Sequence, residues 1–204
     1  MNNAWTIVIL LVFIISCQER QNKEVVTDRN TTNTNGDVQL PSDNCNIDVF
    51  LNNPEILADA KTLWKSDKDR YEIQQVVKVL AALETVKDEH LPFYMLVVGK
   101  ALTGHDGELT ELAMREVYEF VFDSHTTFFF DFFNQPHCLV EAHGANISIW
   151  AELSAHYLSM TCDSDEAFNE KEYAQCVERN IVELEDKCSA CNMDNFIKGM
   201  RSML

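Results

Sequence analysis

Residues 91–102, LPFYMLVVGKAL, are apolar on nearly every side of a helical wheel. A helix of that kind has no face for water and must be covered all round by other elements. The rest of the chain therefore has to supply several covering helices, and its pattern does so. Proline and glycine, the residues that break helices, number only four and six in 204 residues. A helix over about 54–65 starts at Pro54, a first-turn residue. Over about 68–86, Ile73, Val76, Val77 and Leu80 follow the i, i+3, i+4, i+7 stripe of an amphipathic helix. Over about 107–123, Leu109, Leu112, Ala113 and Phe120 form one face, which Met114, Val117, Val121 and Phe122 widen. The turn before it, 104–107, holds Asp106 as an N-cap.

Further along, 136–160 reads as one helix running through Gly144. A helix over about 169–187 follows, opened by Asp163 with Glu166 or by Asn169 with Glu172, and a last one runs from about 191. Between these lies HTTFFFDFFNQP, 125–136, where Phe128, Phe129, Phe132 and Phe133 share a helix face and Phe130 and Asp131 fall off it. Such a helix either plugs the core or offers an aromatic patch to a partner or membrane. The fold class is all-α, a single domain over 45–204 of roughly eight helices. It is either a bundle or a short HEAT-like α-solenoid. The second form rests on a faint echo: Ile73-Val76-Val77 recurs about 36 residues later as Leu109-Leu112-Ala113, and more loosely as Ile147-Trp150-Ala151.

The amino-terminal segment has a different character. From Ala4 to Ile15 every residue but Thr6 is apolar. The run is too short to cross a bilayer as a helix, which takes ~20 residues, and has the length of a signal-peptide core. It ends in Ile14-Ile15-Ser16-Cys17, which resembles the lipobox of bacterial lipoproteins. The resemblance implies a signal peptide over 1–16, cleavage before Cys17, and a lipid on the Cys17 thiol that holds the chain to a membrane of the cell envelope. No Lys or Arg precedes the apolar run, which departs from the usual signal pattern. The polar stretch that follows, 17–44, has too little apolar surface to offset its ordering entropy. It reads as a disordered tether with an r.m.s. span of roughly 25–30 Å. Asn30-Thr31-Thr32 and Asn146-Ile147-Ser148 match the glycosylation pattern, which matters only in a eukaryotic secretory pathway.

Setting Cys17 aside leaves Cys45, Cys138, Cys162, Cys176, Cys188 and Cys191. An even number in an exported chain points to structural disulfides. Helix geometry narrows the pairing. On one continuous helix Cys138 and Cys162 would stand ~36 Å apart, and Cys176 and Cys188 ~18 Å, whereas a disulfide needs Cα atoms within ~7 Å. If the helix near 169–187 runs antiparallel to that at 136–160, its end returns beside Cys138. That arrangement joins Cys138 to Cys188 or Cys191, joins Cys162 to Cys176 across the loop, and leaves Cys45 for the remaining member of the 188/191 couple. The alternative for Cys188-Ser189-Ala190-Cys191 is a redox pair or half of a zinc site. A redox CxxC usually opens a helix after a strand, and none precedes this one; a four-cysteine zinc site needs a second CxxC.

No motif fixes a reaction. There is no G-x-S-x-G elbow, phosphate loop or dinucleotide fingerprint, and no cofactor is implied. Two histidine groups are candidates for a hydrolase, with or without a metal: His105 with Asp106, Glu108 and Glu111, and His137 with Glu141 and His143. His156 stands further along the chain. Their spacings match neither HExxH nor HxxEH. The net charge of −17 argues against nucleic acid, which asks for a basic footprint. It favours a basic protein partner instead. The expectation is thus a lipid-anchored, exported, acidic helical module that binds protein, such as an immunity-type inhibitor or an envelope assembly factor. It would face the periplasm or the cell surface.

Overall fold

The computed structural model describes residues 45–67, 71–103, 107–134, 138–163 and 169–204. Cys17, the segments 1–16 and 17–44, the pair His105–Asp106, and His137 lie outside the described residues. Every regular element among the described residues is helical. They run α1 (Asp48–Asn52), α2 (Ala58–Lys65), α3 (Ile73–Ala82), α4 (Leu91–Leu102), α5 (Gly107–Glu119) with a π-helical turn (Phe120–Ser124), α6 (Thr126–Asn134), α7 (Cys138–His143), α8 (Ile147–Cys162), α9 (Glu170–Lys187) and α10 (Asp194–Arg201). None of them is long and apolar enough to cross a membrane.

The segment that is apolar all round becomes α4, with Pro92 in its first turn and every residue from Leu91 to Val98 buried. α2, α3, α7 and α8 supply its cover. A row of helices runs through the domain, α3 on α5, α5 on α8 and α8 on α10. The three apolar echoes fall on the first three members of this row, so the period near 36 tracks real neighbours. The stripe read for α3 is corrected in its rotation. Val76 and Leu80 are buried as expected, but Val79 and Leu83 complete the face, and Ile73 and Val77 are exposed. On α5 only Leu112 departs from the expected set, being exposed.

The phenylalanine helix α6 is a core plug. Phe129, Phe130 and Phe132 are fully buried, while Phe128 and Phe133 are packed at its margin. Phe130, read as off the face, lies edge-on against Phe196 of α10 at 5.4 Å. α6 is enclosed on two sides, so one amphipathic face does not describe it. Phe129 touches Phe120, Trp150 and Phe196 with ring centroids 5.4–6.4 Å apart. These distances suit edge and tilted ring pairs.

The single helix expected over 136–160 is two helices. Gly144 takes φ of +67°, the left-handed conformation that glycine adopts without a Cβ penalty. Its N–H and that of Ala145 both donate to the Val140 carbonyl, closing α7. Asn146 then caps α8, its side chain accepting from the Ser148 N–H at 2.9 Å. α9 opens in the same way, with Asn169 accepting from Lys171 and Glu172. At the far end, a Cβ on Gly199 would stand 3.1 Å from the Ala151 Cβ, so glycine lets α10 approach α8 closely.

Three cysteine pairs stand at bonding distance: Cys45–Cys138, Cys162–Cys176 and Cys188–Cys191. The second joins α8 to α9 as the loop between them implies. The other two correct the expected pairing. The chain breaks at Gly144, so Cys138 sits on the separate helix α7, where Cys45 pairs with it, Cα atoms 5.3 Å apart. Cys188 caps α9, and the chain turns back on itself so that the Cys191 N–H donates to the Cys188 carbonyl at 3.0 Å. That turn brings Cys188 and Cys191 within reach of each other.

Candidate functional site: an acidic cleft between α9 and α10

α9 buries Val177, Ile181 and Leu184, half-buries Tyr173, Cys176 and Asn180, and exposes much of the rest of its surface. The exposed part is acidic: Glu170, Glu172, Glu178, Glu183, Glu185 and Asp186. Among the described residues, only Glu178 of these six forms an ion pair, with Arg201 at 3.0 Å. At the carboxyl end of α9 the chain bends into α10 and leaves a cleft of about 340 Å3. Its rim carries Glu185, Asp186 and Asp194, and its wall the Cys188–Cys191 pair, Met193 and Ile197. Met193 and Ile197 are buried, so the floor is apolar beneath a ring of carboxylates.

α9 and α10 are tied to the rest of the fold by specific contacts. Tyr118 of α5 donates its hydroxyl to Asn180 at 2.8 Å, and Asn180 donates in turn to the Cys176 carbonyl. Burial, with the nearby charges of Asp123 and Glu183, pushes the Tyr118 phenol up to about 12, so it remains a donor. The Lys187 ammonium bonds the Phe122 carbonyl and Asp123, tying the last turn of α9 to the π-helical turn. α10 is seated by Phe196 and Met200, both fully buried. An apolar floor with fixed acids around it suits the long stem and charged head of a lysine or arginine.

Of the histidine groups read from the sequence, the described residues include Glu108, Glu111, Glu141 and His143. Glu108 and Glu111 are exposed on α5, and Glu141 is exposed on α7. His143 presents its ring edge to Trp64, with centroids 5.1 Å apart. It borders a second cleft, of about 200 Å3, between Trp64, Lys100 and Trp150. The Lys100 ammonium donates to the carbonyls of Trp64 and Ser66 there and lies 5.3 Å from the Trp64 ring. His156 is exposed on α8.

One histidine escaped sequence reasoning. His90 is buried at the start of α4, with its Nε2 3.6 Å from Glu89 and 3.9 Å from Glu55. The Asn53 amide donates to that same Nε2 at 2.9 Å. Lys87 pairs with Glu55 at 2.7 Å and holds its carboxyl below the usual range. The His90 lone pair is thus already engaged, and the arrangement works as a clasp between α4 and the α1–α2 turn. A second, His125, follows the π-helical turn. It stacks on Phe120 at 4.8 Å, and its buried Nδ1 has no hydrogen-bond partner. Burial lowers its pKa, against the opposing pull of Asp88 and Glu84. No spacing motif marks either residue, since each is defined by what another element lays over it.

The chain matches no protein-family model, no curated protein and no solved structure.

Proposed function

We propose that this chain is an exported, lipid-anchored module that binds a basic protein partner through the α9–α10 end, in the manner of an immunity-type inhibitor or an envelope assembly factor. The carrying observation is the cleft itself, an apolar floor ringed by Glu185, Asp186 and Asp194 beside an α9 surface whose acids are mostly unpaired among the described residues. Carboxylates arranged this way steer cationic surfaces into place and speed their association. The lipobox-like Ile14-Ile15-Ser16-Cys17 supports the anchor, and the polar 17–44 supports a standoff from the membrane.

Two measurements test the reading. The intact mass of the full chain made in a bacterium should match Cys17–Leu204 carrying a lipid; an unprocessed mass would remove the anchor from the proposal. Partner binding should weaken steeply between about 50 and 500 mM salt, as exposed charges are screened. It should be lost in the Glu185→Lys/Asp186→Lys variant. A complex indifferent to both salt and charge reversal would overturn the docking surface.

A further inference from the structure

We infer that Cys188–Cys191 is a dithiol–disulfide exchange site, whose substrates are thiols set among basic residues. Exchange at this pair stands independently of the docking proposal; the preference for basic surroundings rests on it.

The fold does not need this bridge. It spans only Ser189 and Ala190, and the hydrogen bond from the Cys191 N–H to the Cys188 carbonyl already closes the same turn. The helices on either side are held by other means. α9 is fixed by Ile181 and Leu184, by the Cys162–Cys176 bridge and by the Lys187 contacts; α10 is fixed by Phe196, Met200 and Arg201–Glu178. The pair is also reachable. Ser189 and Ala190 are exposed, and both cysteines line the open acidic cleft. Cys188 and Cys191 are half-buried and Cys162 is buried; Cys45 is exposed, but its bridge to Cys138 closes the long loop that the fold is built on.

The exchange needs only an external dithiol, or two thiols, as reductant. One thiolate attacks a sulfur of the pair; the Cys188–Cys191 bond breaks, and its electron pair leaves on the other sulfur, which takes a proton from water. A second thiolate then attacks the mixed disulfide. The partner departs oxidised and the chain holds two thiols, having accepted two electrons. Glu185, Asp186 and Asp194 set negative charge around the cleft. The same charges repel an incoming thiolate unless cationic neighbours offset them.

The test uses the full oxidised chain with Cys17 alkylated beforehand. It is titrated with cysteamine, a thiol whose ammonium group offsets the cleft's carboxylates; newly exposed thiols are trapped by alkylation, and the trapped sites are located by peptide mass. Cys188 and Cys191 should be trapped at least about ten times faster than the other four cysteines, with the helical circular dichroism unchanged. Opening in step with Cys45–Cys138, or only as helicity is lost, would overturn the exchange site. The peptides Lys-Cys-Lys and Glu-Cys-Glu then replace cysteamine, each rate normalised to that with dithiodipyridine. A lysine preference that collapses in high salt supports the assigned substrate class. Equal normalised rates with selective opening retained would overturn the docking reading and its charge preference, and leave the exchange site standing.

Discussion

Where α8 meets α5 and α6, ring packs on ring: Trp150 lies against Phe120 and Phe129, all three fully buried. Where α9 gives way to α10, carboxylates and a disulfide surround an open cleft. Both regions are helical, and Phe196 of α10 reaches from one into the other. The first gains its stability from apolar surface removed from water, at roughly 25 cal/mol per Å2. The second gathers like charges around a half-buried sulfur pair. The contrast separates a packed core from an open acidic cleft, and each part can be perturbed alone.

The largest effect is expected at the long bridge. Replacing Cys45 and Cys138 by alanine opens a loop with a sequence separation of 93 residues, for which chain entropy gives about 4–5 kcal/mol of lost stability. Urea unfolding of the double variant would read it; a loss under ~1 kcal/mol would show that the denatured chain is compact without the bridge. Phe129→Ala should cost about 3–5 kcal/mol, because the cavity it leaves is walled by rings that cannot collapse onto it. If it cost no more than an exposed substitution, the aromatic centre would not be the core described above.

A smaller effect should appear with pH. The folded pKa of His125 is depressed by burial. In the window below the unfolded value, ~6.5, the unfolded chain therefore binds more protons than the folded one. The stability tied to neutral His125 is fully present above that value and is lost as the pH falls through it. The urea midpoint should drop between pH 7.5 and 5.5, and drop less in His125→Phe, which keeps the stack on Phe120 and removes the titration. An identical drop in both would assign the acid sensitivity elsewhere. Smallest of all, Cys188→Ser/Cys191→Ser should cost less than about 2 kcal/mol, since so short a loop restricts the denatured chain little. A loss matching that of the long bridge would make the pair structural and erase the comparison.

Much of the helical pattern was legible because apolar spacing reports which residues avoid water. The all-round apolar run became α4, and Leu109, Ala113 and Val117 turned inward on α5. The same spacing says nothing of which neighbour covers a face. For that reason Val77 was assigned to a stripe that Val79 and Leu83 fill, and Phe130 was placed off a helix that is enclosed on two sides. Gly144 marks a different limit: glycine tolerates a helix interior and also ends helices, and only the backbone tells which. The cysteine pairing failed at that point, since it assumed the helix ran through. The acidic cleft left only a weak trace, the run of acids before the CxxC, because its concavity comes from how α9 and α10 meet.

The Cys45–Cys138 bridge has a mechanical consequence. Tension applied to the chain ahead of residue 45 passes through the sulfur–sulfur bond directly to the head of α7. Everything from α1 to α6 then sits in a covalently closed loop outside the load path. Drawn out by its two ends, the oxidised chain would keep back roughly 300 Å of contour that the reduced chain would surrender. Under a pull on its leading end, the bridge is a shackle that shields half of the fold from force.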